Sequence, residues 1–488
     1  MAKNASLGRN AALNGLRTVF NLLFPLITFP YVSRTLSVEK VGVFHFSDSI
    51  VSYFMMLAAL GIYTYAVREG AKIRGDRAAL SRFASEVFSI NLASMLASFA
   101  LLGALLMLVP RLQGSAPIIA ILSLQILFNA LGTEWLYALF EDFAYITFRS
   151  IAFQAVSLIL LFLLVHGPED LPVYAGIVVF ACAGSNLLNF VLARRMCDVR
   201  PVLSIPWKRH LPPILIIFST TVAISIYTCS DTTMLGFMRG EHEVGIYAVS
   251  SKIYGLAKML LSSVLIVAVP KLSLLLAEKK AEEYNGTLSA ISGAVSMLLF
   301  PVALMLFLLA EDFVLLLSDA TYLAAASSLR LLCIALLFCL IGWIANDCVL
   351  IPSRMEKIVL ISTVASATLN IALNFVLIPF LGADGAAIST IAAEATVMGI
   401  SVWHGRKVAA LQAWLLPEIL RIAAACLPVA GICLWLRGLG LGAGKTVLLA
   451  LPLCAAACAL ALILLRSHMA WQGLARLRAG RRSRHAAG

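Results

Sequence analysis

Charged side chains are scarce in this sequence. Only 13% of the 488 residues are Asp, Glu, Lys or Arg, whereas 61% are hydrophobic, and the mean hydropathy is +0.95. A soluble globular domain carries about 25% charged residues. The composition therefore excludes a soluble globular protein. It also makes orientation in a membrane a better explanation of the net charge of +12 than binding to nucleic acid.

The sequence also lacks the spacings that mark disulfide frameworks, metal centres and catalytic sites. Its ten cysteines form no CxxC pair, and most lie in apolar segments, which favours small core residues over disulfides or metal ligands. No Ser/His/Asp set or paired-carboxylate site stands out. The glycine-rich stretch 438–446 looks like a phosphate loop, but Leu439 stands where that pattern requires glycine. We expect a protein that is not an enzyme and that holds no cofactor.

Long apolar segments dominate what is present. Nearly every stretch of 20 to 27 residues is apolar and ends at charges, Pro or Gly, and about 20 such residues cross a bilayer as a helix. The pattern predicts an all-α polytopic membrane protein with about fourteen transmembrane helices. The predicted spans are 13–35, 42–66, 83–109, 116–140, 143–165, 171–192, 211–237, 244–270, 287–309, 323–351, 357–380, 383–403, 415–436 and 446–466.

Lysine and arginine alternate between the loops. With a cytoplasmic N-terminus, 26 of the 37 fall on cytoplasmic segments, 6 on the opposite side and 5 within spans. This bias follows the positive-inside rule. We therefore predict a multi-pass membrane protein with both termini in the cytoplasm, and a basic tail that contacts anionic lipid.

The two halves of the chain repeat one another at a shift of 203 residues. Val41-Gly42-Val43-Phe44 falls on Val244-Gly245-Ile246-Tyr247 in this register. Many transporters are built from such repeats, with the site between them. The repeat predicts two pseudo-symmetric six-helix lobes plus two extra C-terminal helices. The predicted divisions are 1–200 (N-lobe), 201–410 (C-lobe), 411–466 (helices 13 and 14) and 467–488 (basic tail).

Two lysines lie deep in the eighth predicted span. Lys252 and Lys258 lie roughly 12 Å and 21 Å along the helix from Val244. An ammonium group that faces lipid is costly, so each should face protein or a wet cavity. Both are candidates for binding an anionic substrate. The structural alternative for Lys252 is a pairing with Asp231 or Asp48.

Other intramembrane charges are weaker candidates. Arg149 and Arg330 lie within about two turns of a span end and could snorkel instead. Arg17 belongs to a polar face of the first span, with Asn10, Asn14 and Asn21, and Arg34 lies at the end of that span. Four carboxylates are candidates for binding a coupling H⁺ or Na⁺: Asp48, Asp231, Asp347 and Glu394.

Several stretches carry a family resemblance. They include Pro25 to Arg34, Gly61 to Glu69, Glu134-Trp135, Asp231 to Gly236, Val244 to Lys252, Asn370 to Pro379 and Gly385 to Glu394. In these stretches the chain resembles bacterial polysaccharide or O-antigen flippases of the multidrug/oligosaccharidyl-lipid/polysaccharide exporter superfamily. The resemblance covers spans 1–12, whereas the last eighty residues match in hydropathy only.

The resemblance implies a two-lobed bundle that alternates its opening. It also implies that the substrate is an undecaprenyl-diphosphate-linked oligosaccharide, which moves from the cytoplasmic to the periplasmic leaflet. The membrane that it implies is the bacterial cytoplasmic (inner) membrane. The partners expected from it are this polyprenyl-linked glycan, membrane lipids, a polysaccharide polymerase and a chain-length regulator, but no nucleic acid. Cations such as Lys252 and Lys258 would then bind the diphosphate.

Three alternatives stay open at this point. A cation-coupled multidrug antiporter of the same superfamily would need an acidic rather than a lysine-bearing cavity. A lipid II flippase would show more arginines inside the first lobe. A membrane glycosyltransferase or polymerase, which belongs to a different class, would need a large periplasmic loop with acid or base residues, and the predicted outer loops are all short.

Overall fold

Helices account for all the regular structure in the part of the chain that is described. The computed structural model of the protein describes the backbone of residues 7–193, 196–408 and 411–465. Those residues form 17 α-helices and no β-strand. The predicted all-α polytopic architecture is therefore confirmed.

The chain divides into two units, Met1–Gly245 and Ile246–Gly488. The first unit contains α1 (Leu7–Thr35), α2 (Val38–Ala59), α3 (Ile62–Ala71), α4 (Arg77–Leu108), α5 (Ala116–Leu131), α6 (Glu134–Leu139), α7 (Phe143–Leu164), α8 (Leu171–Ala193), α9 (Trp207–Met238) and the start of α10 (Glu241–Ala277). The helix α9, which the sequence repeat assigns to the C-lobe, packs on α2 within this unit.

The second unit continues α10 and adds seven helices. They are α11 (Ala281–Leu308), α12 (Ala310–Leu317), α13 (Ala325–Trp343), α14 (Glu356–Leu381), α15 (Ala383–Gly405), α16 (Leu411–Gly438) and α17 (Ala443–Leu464). Helix α15 packs against both α13 and α14, while α16 packs against α11 and α17.

Long apolar helices coincide with the predicted spans. Eleven helical segments among the described residues are long and apolar enough to cross a membrane. The remaining three predicted spans fall on α1, α9 and α10, which have 29, 32 and 37 residues. Each is longer than the ~20 residues that a bilayer requires. The sequence thus located every long helix, although several extend beyond the predicted ends.

Polar caps and glycines set several helix boundaries. Ser37 caps α2 by accepting a hydrogen bond from the Lys40 amide, and Asp76 caps α4 by accepting from two amides. The break between α2 and α3 falls at Leu60 and Gly61, which both have positive φ. A left-handed residue with a glycine is a common way to end a helix.

The glycines of the repeated motif bring two backbones into contact. A Cβ on Gly42 would lie 1.7 Å from the carbonyl oxygen of Glu241, and a Cβ on Gly245 would lie 2.1 Å from that of Val38. Only glycine permits so close an approach. The repeated Val-Gly pair therefore joins the start of α2 to the start of α10, and this explains why the motif is present in both halves.

Candidate functional site

Lys258 forms an ion pair inside the second unit. Its Nζ lies 3.1 Å from Oε1 of Glu394 on α15. The Glu394 side chain is only 4% exposed, whereas that of Lys258 is 21% exposed. The hydroxyl of Tyr254 donates a second hydrogen bond, also 3.1 Å long, to the same carboxylate oxygen. The structure thus joins a candidate for substrate binding to a candidate for ion coupling.

Two aromatic rings surround the Lys258 ammonium group. Its Nζ lies 4.9 Å from the centroid of the Trp343 ring and 5.3 Å from that of Tyr254. Both distances are within the ~6 Å at which the negative ring face attracts a cation. The rings and Glu394 together stabilise a positive charge where lipid would not. We call Lys258, Glu394, Tyr254 and Trp343 the lysine cage.

Local helix geometry explains how the lysine cage forms. Tyr254 and Lys258 are four residues apart on α10, so both side chains lie on one face of that helix. Trp343 ends α13, and the chain continues there as a π-helix over Ile344–Leu350. Such segments are rare and occur frequently at functional sites. This π-helix contains buried Asn346 and half-buried Asp347.

The Lys258 ammonium group is neutralised by a buried carboxylate. The pairing with Glu394 offsets the cost of burying the ammonium group, and the Lys258 side chain is 21% exposed. A phosphate that reached Lys258 would compete with Glu394 for the same donor. An anionic group could therefore bind at Lys258 only in competition with the internal carboxylate.

Two further candidate carboxylates in the first unit lie near the same thiol. The Cys229 thiol on α9 lies within electrostatic reach of both Asp48 on α2 and Asp231 on α9. Asp231 is buried, and Asp48 is half-buried. Nearby, the Thr233 hydroxyl donates to Ser49 at 3.0 Å and ties α9 to α2. The residue at the repeat position of Ser49 is Lys252, which is half-buried on α10.

The two arginine candidates within predicted spans lie in different surroundings. Arg149 on α7 is 6% exposed, and its guanidinium group lies 5.4 Å from the centroid of the Tyr145 ring. Arg330 on α13 donates to Oε1 of Glu311 at 2.7 Å, and Arg437 bonds the other oxygen of that carboxylate. These contacts link α12 to α13 and α16.

Glu311 lies on α12, outside the candidate membrane spans. The hydrogen bond from Arg330 lowers the pKa of Glu311 below its ordinary value, and the charge of Arg437 acts in the same direction. A shared carboxylate between two arginines is typical of a structural network.

The remaining predicted residues are not part of the lysine cage. Arg34 is exposed in the last turn of α1. The side chain of Arg17 lies outside the described residues, and so do the side chains of Asn10, Asn14 and Asn21.

Sequence reasoning missed Tyr254 and Trp343. The four-residue spacing between Tyr254 and Lys258 was a signal that could have identified the tyrosine. No local signal marks Trp343, because it meets Lys258 only through the packing of distant helices.

The sequence is similar to that of a known protein family and of two named proteins. The profile of a family described as "Polysaccharide biosynthesis protein" matches residues 7–276. Two proteins that each bear the name "Putative O-antigen transporter" are similar in sequence. The one from Escherichia coli (strain K12) is 25% identical over 311 residues, which cover 60% of this chain and 73% of the relative. The one from Shigella dysenteriae is 25% identical over 392 residues, which cover 78% and 94%.

Solved structures share the fold. The inward closed conformation of the lipid II flippase MurJ superposes with a TM-score of 0.76 and 16% identity, covering 93% of this chain and 99% of that one. An inward-facing multidrug resistance MATE transporter of the MOP superfamily gives a TM-score of 0.60 at 14% identity, covering 80% and 94%. At such low identity these likenesses establish the fold alone.

Proposed function

Because the chain belongs to the polysaccharide biosynthesis protein family, whose profile matches more than half of its residues, we propose that it is a flippase for lipid-linked oligosaccharide. It moves an undecaprenyl-diphosphate-linked repeat unit from the cytoplasmic to the periplasmic leaflet of the inner membrane by alternating access. The names of the two O-antigen relatives support this substrate class.

The lysine cage is the observation that carries the proposal. A sugar head group is too polar to cross hydrocarbon unaided, whereas the polyprenyl tail can remain in lipid. The passage therefore needs a cation for the diphosphate. Lys258 supplies one within a predicted span, and the rings of Trp343 and Tyr254 stabilise its charge.

The Lys258–Glu394 ion pair supplies the switch in this mechanism. In the resting state Lys258 donates to Glu394. When the diphosphate arrives, Lys258 leaves Glu394 and donates to the diphosphate instead, while the Tyr254 hydroxyl keeps its hydrogen bond to Glu394. Release of the substrate restores the ion pair. Outward movement of an anion is also favoured by the inside-negative potential, by about 2.3 kcal/mol per charge per 100 mV.

The lysine also distinguishes this function from a drug antiporter. A carrier of cationic drugs needs an acidic site, whereas the charged pair of the lysine cage is one cation and one anion. A lipid II flippase carries a substrate with the same polyprenyl diphosphate, so this site would serve it as well. Genetic rescue separates the two substrates.

The test is rescue of two bacterial strains. One lacks its own O-antigen exporter, and the other is depleted of its lipid II flippase. We expect the chain to restore surface polysaccharide in the first strain and to leave growth of the second unrescued. Lys258→Ala should abolish the rescue, while Lys279→Ala, a change outside the spans, should not. Rescue of the second strain alone would replace the proposed substrate with lipid II. Ethidium efflux without either rescue would favour a drug carrier.

A further inference from the structure

A polar cavity lies in the first unit, at the end of α4 that is predicted to face the cytoplasm. Its volume is about 510 Å³, which is within the ~300–1,000 Å³ range of small-molecule sites. One wall is the first turns of α4, with Ser81, Arg82, Ser85 and Glu86. The other wall is the extended segment 198–204, which connects α8 to α9. This cavity shares no residue with the lysine cage.

A ladder of serines fixes the second wall. The amides of Asp198, Arg200 and Val202 donate to the hydroxyls of Ser81, Ser85 and Ser89 at 3.0, 3.1 and 2.7 Å. Two residues of extended chain advance ~6.6 Å, and four residues of helix advance ~6 Å, so the two repeats stay in register. The connecting segment is therefore held along α4 by three matched hydrogen bonds, which fix one wall of the cavity relative to the other.

A chain of buried hydrogen bonds positions Glu86. Its Oε2 lies 3.0 Å from Nε2 of His210, whose Nδ1 lies 2.7 Å from the Tyr65 hydroxyl. A carboxylate accepts a hydrogen bond, so Nε2–H of His210 donates to Glu86 and Nδ1 accepts a hydrogen bond from the Tyr65 hydroxyl. His210 is fully buried, and Glu86 is 9% exposed. The carboxylate is thus fixed at the cavity wall by residues of α3 and α9.

The described lining combines two cations with two anions. Arg82 and Arg200 are exposed guanidinium groups, and they are balanced by Glu86 and Asp198. Guanidinium groups bind phosphate in a bidentate manner, whereas carboxylates and serine hydroxyls accept hydrogen bonds from sugar hydroxyls. Because the two positive and two negative charges of the lining cancel, binding of a simple anion is disfavoured. This balance favours a ligand that carries both a phosphate and hydroxyl donors.

We propose that this cavity binds a glycosyl phosphate. Resting on the proposed function, we further infer that it is a loading site, where the head group of the lipid-linked glycan docks before it enters the passage. Arg82 and Arg200 hold the phosphate, and Glu86 accepts from a sugar hydroxyl. His210 and Tyr65 are positioning residues that act through Glu86.

Cysteine protection tests the binding site directly. Ser204 lines the cavity, and its neighbour Leu203 is 103% exposed and not part of the lining. The Ser204→Cys and Leu203→Cys variants, purified in nanodiscs, are labelled with a membrane-impermeant maleimide. The parent chain sets the background, since its described cysteines are buried or half-buried. Glucose 1-phosphate, inorganic phosphate and glucose are the three probes.

We expect glucose 1-phosphate to slow labelling of Ser204→Cys about tenfold at ten times its Kd, and to leave Leu203→Cys unchanged. Arg82→Ala together with Arg200→Ala, introduced into Ser204→Cys, should abolish the protection. Lys208→Ala introduced into Ser204→Cys is the control and should preserve it, because Lys208 is exposed and is not part of the lining. Absence of protection, or equal protection at both positions, would overturn the site. Equal protection by inorganic phosphate would reduce it to an anion site and overturn the glycosyl phosphate assignment.

Surface polysaccharide distinguishes this inference from the proposed function. We expect Arg82→Ala with Arg200→Ala to reduce display severalfold while insertion is retained. Normal display with protection lost would refute the loading role and leave the flippase function standing. If the chain rescues no display at all but glucose 1-phosphate still protects position 204, the proposed flippase function fails and the binding site survives.

Discussion

Neutralising both members of the Lys258–Glu394 pair gives the sharpest test of the lysine cage. Lys258→Met alone leaves a carboxylate that is 4% exposed opposite an apolar side chain. Breaking a buried pair in this way typically costs about 3–5 kcal/mol. Glu394→Gln alone should cost less, because Lys258 is 21% exposed and keeps both aromatic rings. Each single variant should therefore lower thermal stability, and Lys258→Met should lower it more.

The double variant Lys258→Met with Glu394→Gln leaves no uncompensated charge. Replacing a buried ion pair by neutral side chains of similar volume is often nearly neutral, so we expect most of the lost stability to return. The double-mutant cycle then yields the coupling energy of the pair. Thermal unfolding of the four proteins in nanodiscs measures it.

Display of surface polysaccharide separates a functional pair from a structural one. If Lys258 binds the diphosphate, the double variant recovers stability but not display, because the cation is gone. If the pair only joins α10 to α15, the double variant recovers both. Full display by a stable double variant would therefore refute the mechanism proposed for the lysine cage.

Three further outcomes are expected. Lys252→Ala should abolish surface polysaccharide while the protein still inserts, and full display would make this lysine structural. Gly42→Ala should lower the melting temperature and reduce display, because its Cβ would lie 1.7 Å from the Glu241 carbonyl oxygen. Gly103→Ala is the matched control. A Cβ at Gly103 would meet nothing within 4 Å, so this change should be neutral or slightly stabilising. Folding lowers the pKa of Glu311 below its ordinary value of 4.5. The ionised carboxylate therefore contributes its full stabilisation above pH 4.5, and this stabilisation is lost as the pH falls through the pKa of the folded state. Thermal stability should therefore fall more steeply between pH 5 and pH 3 in the parent chain than in Glu311→Gln, and equal slopes would contradict this effect.

Sequence reasoning placed the long helices well and the site only in part. It selected Lys258 and Glu394 separately, because each is a charge within an apolar run. It assigned them to different roles, the cation to an anionic substrate and the carboxylate to a coupling ion, and it did not show that they meet across the 136 residues between them. It grouped Lys252 with Lys258, yet the aromatic surroundings that distinguish Lys258 come from α13 as well as from α10.

The cavity beside α4 was not predicted. Ser81, Ser85 and Ser89 recur every four residues and therefore share one helix face, but a serine stripe within an apolar helix more often supports helix packing. The segment that these serines bind lies more than a hundred residues later in the chain. Ser89 and Val202, for example, are 113 residues apart. No periodicity links the two.

The sequence by itself determined the class of protein, the number and order of its long helices and the repeat that relates its halves. These properties follow from local hydropathy, because the cost of placing polar groups in lipid acts on each segment separately. Only the tertiary structure decided which charged side chains contact one another and which aromatic rings lie around Lys258. It also decided which segment forms the second wall of the polar cavity beside α4. Those contacts depend on how side-chain volumes of distant helices fit together, and that fit leaves no regular pattern along the chain.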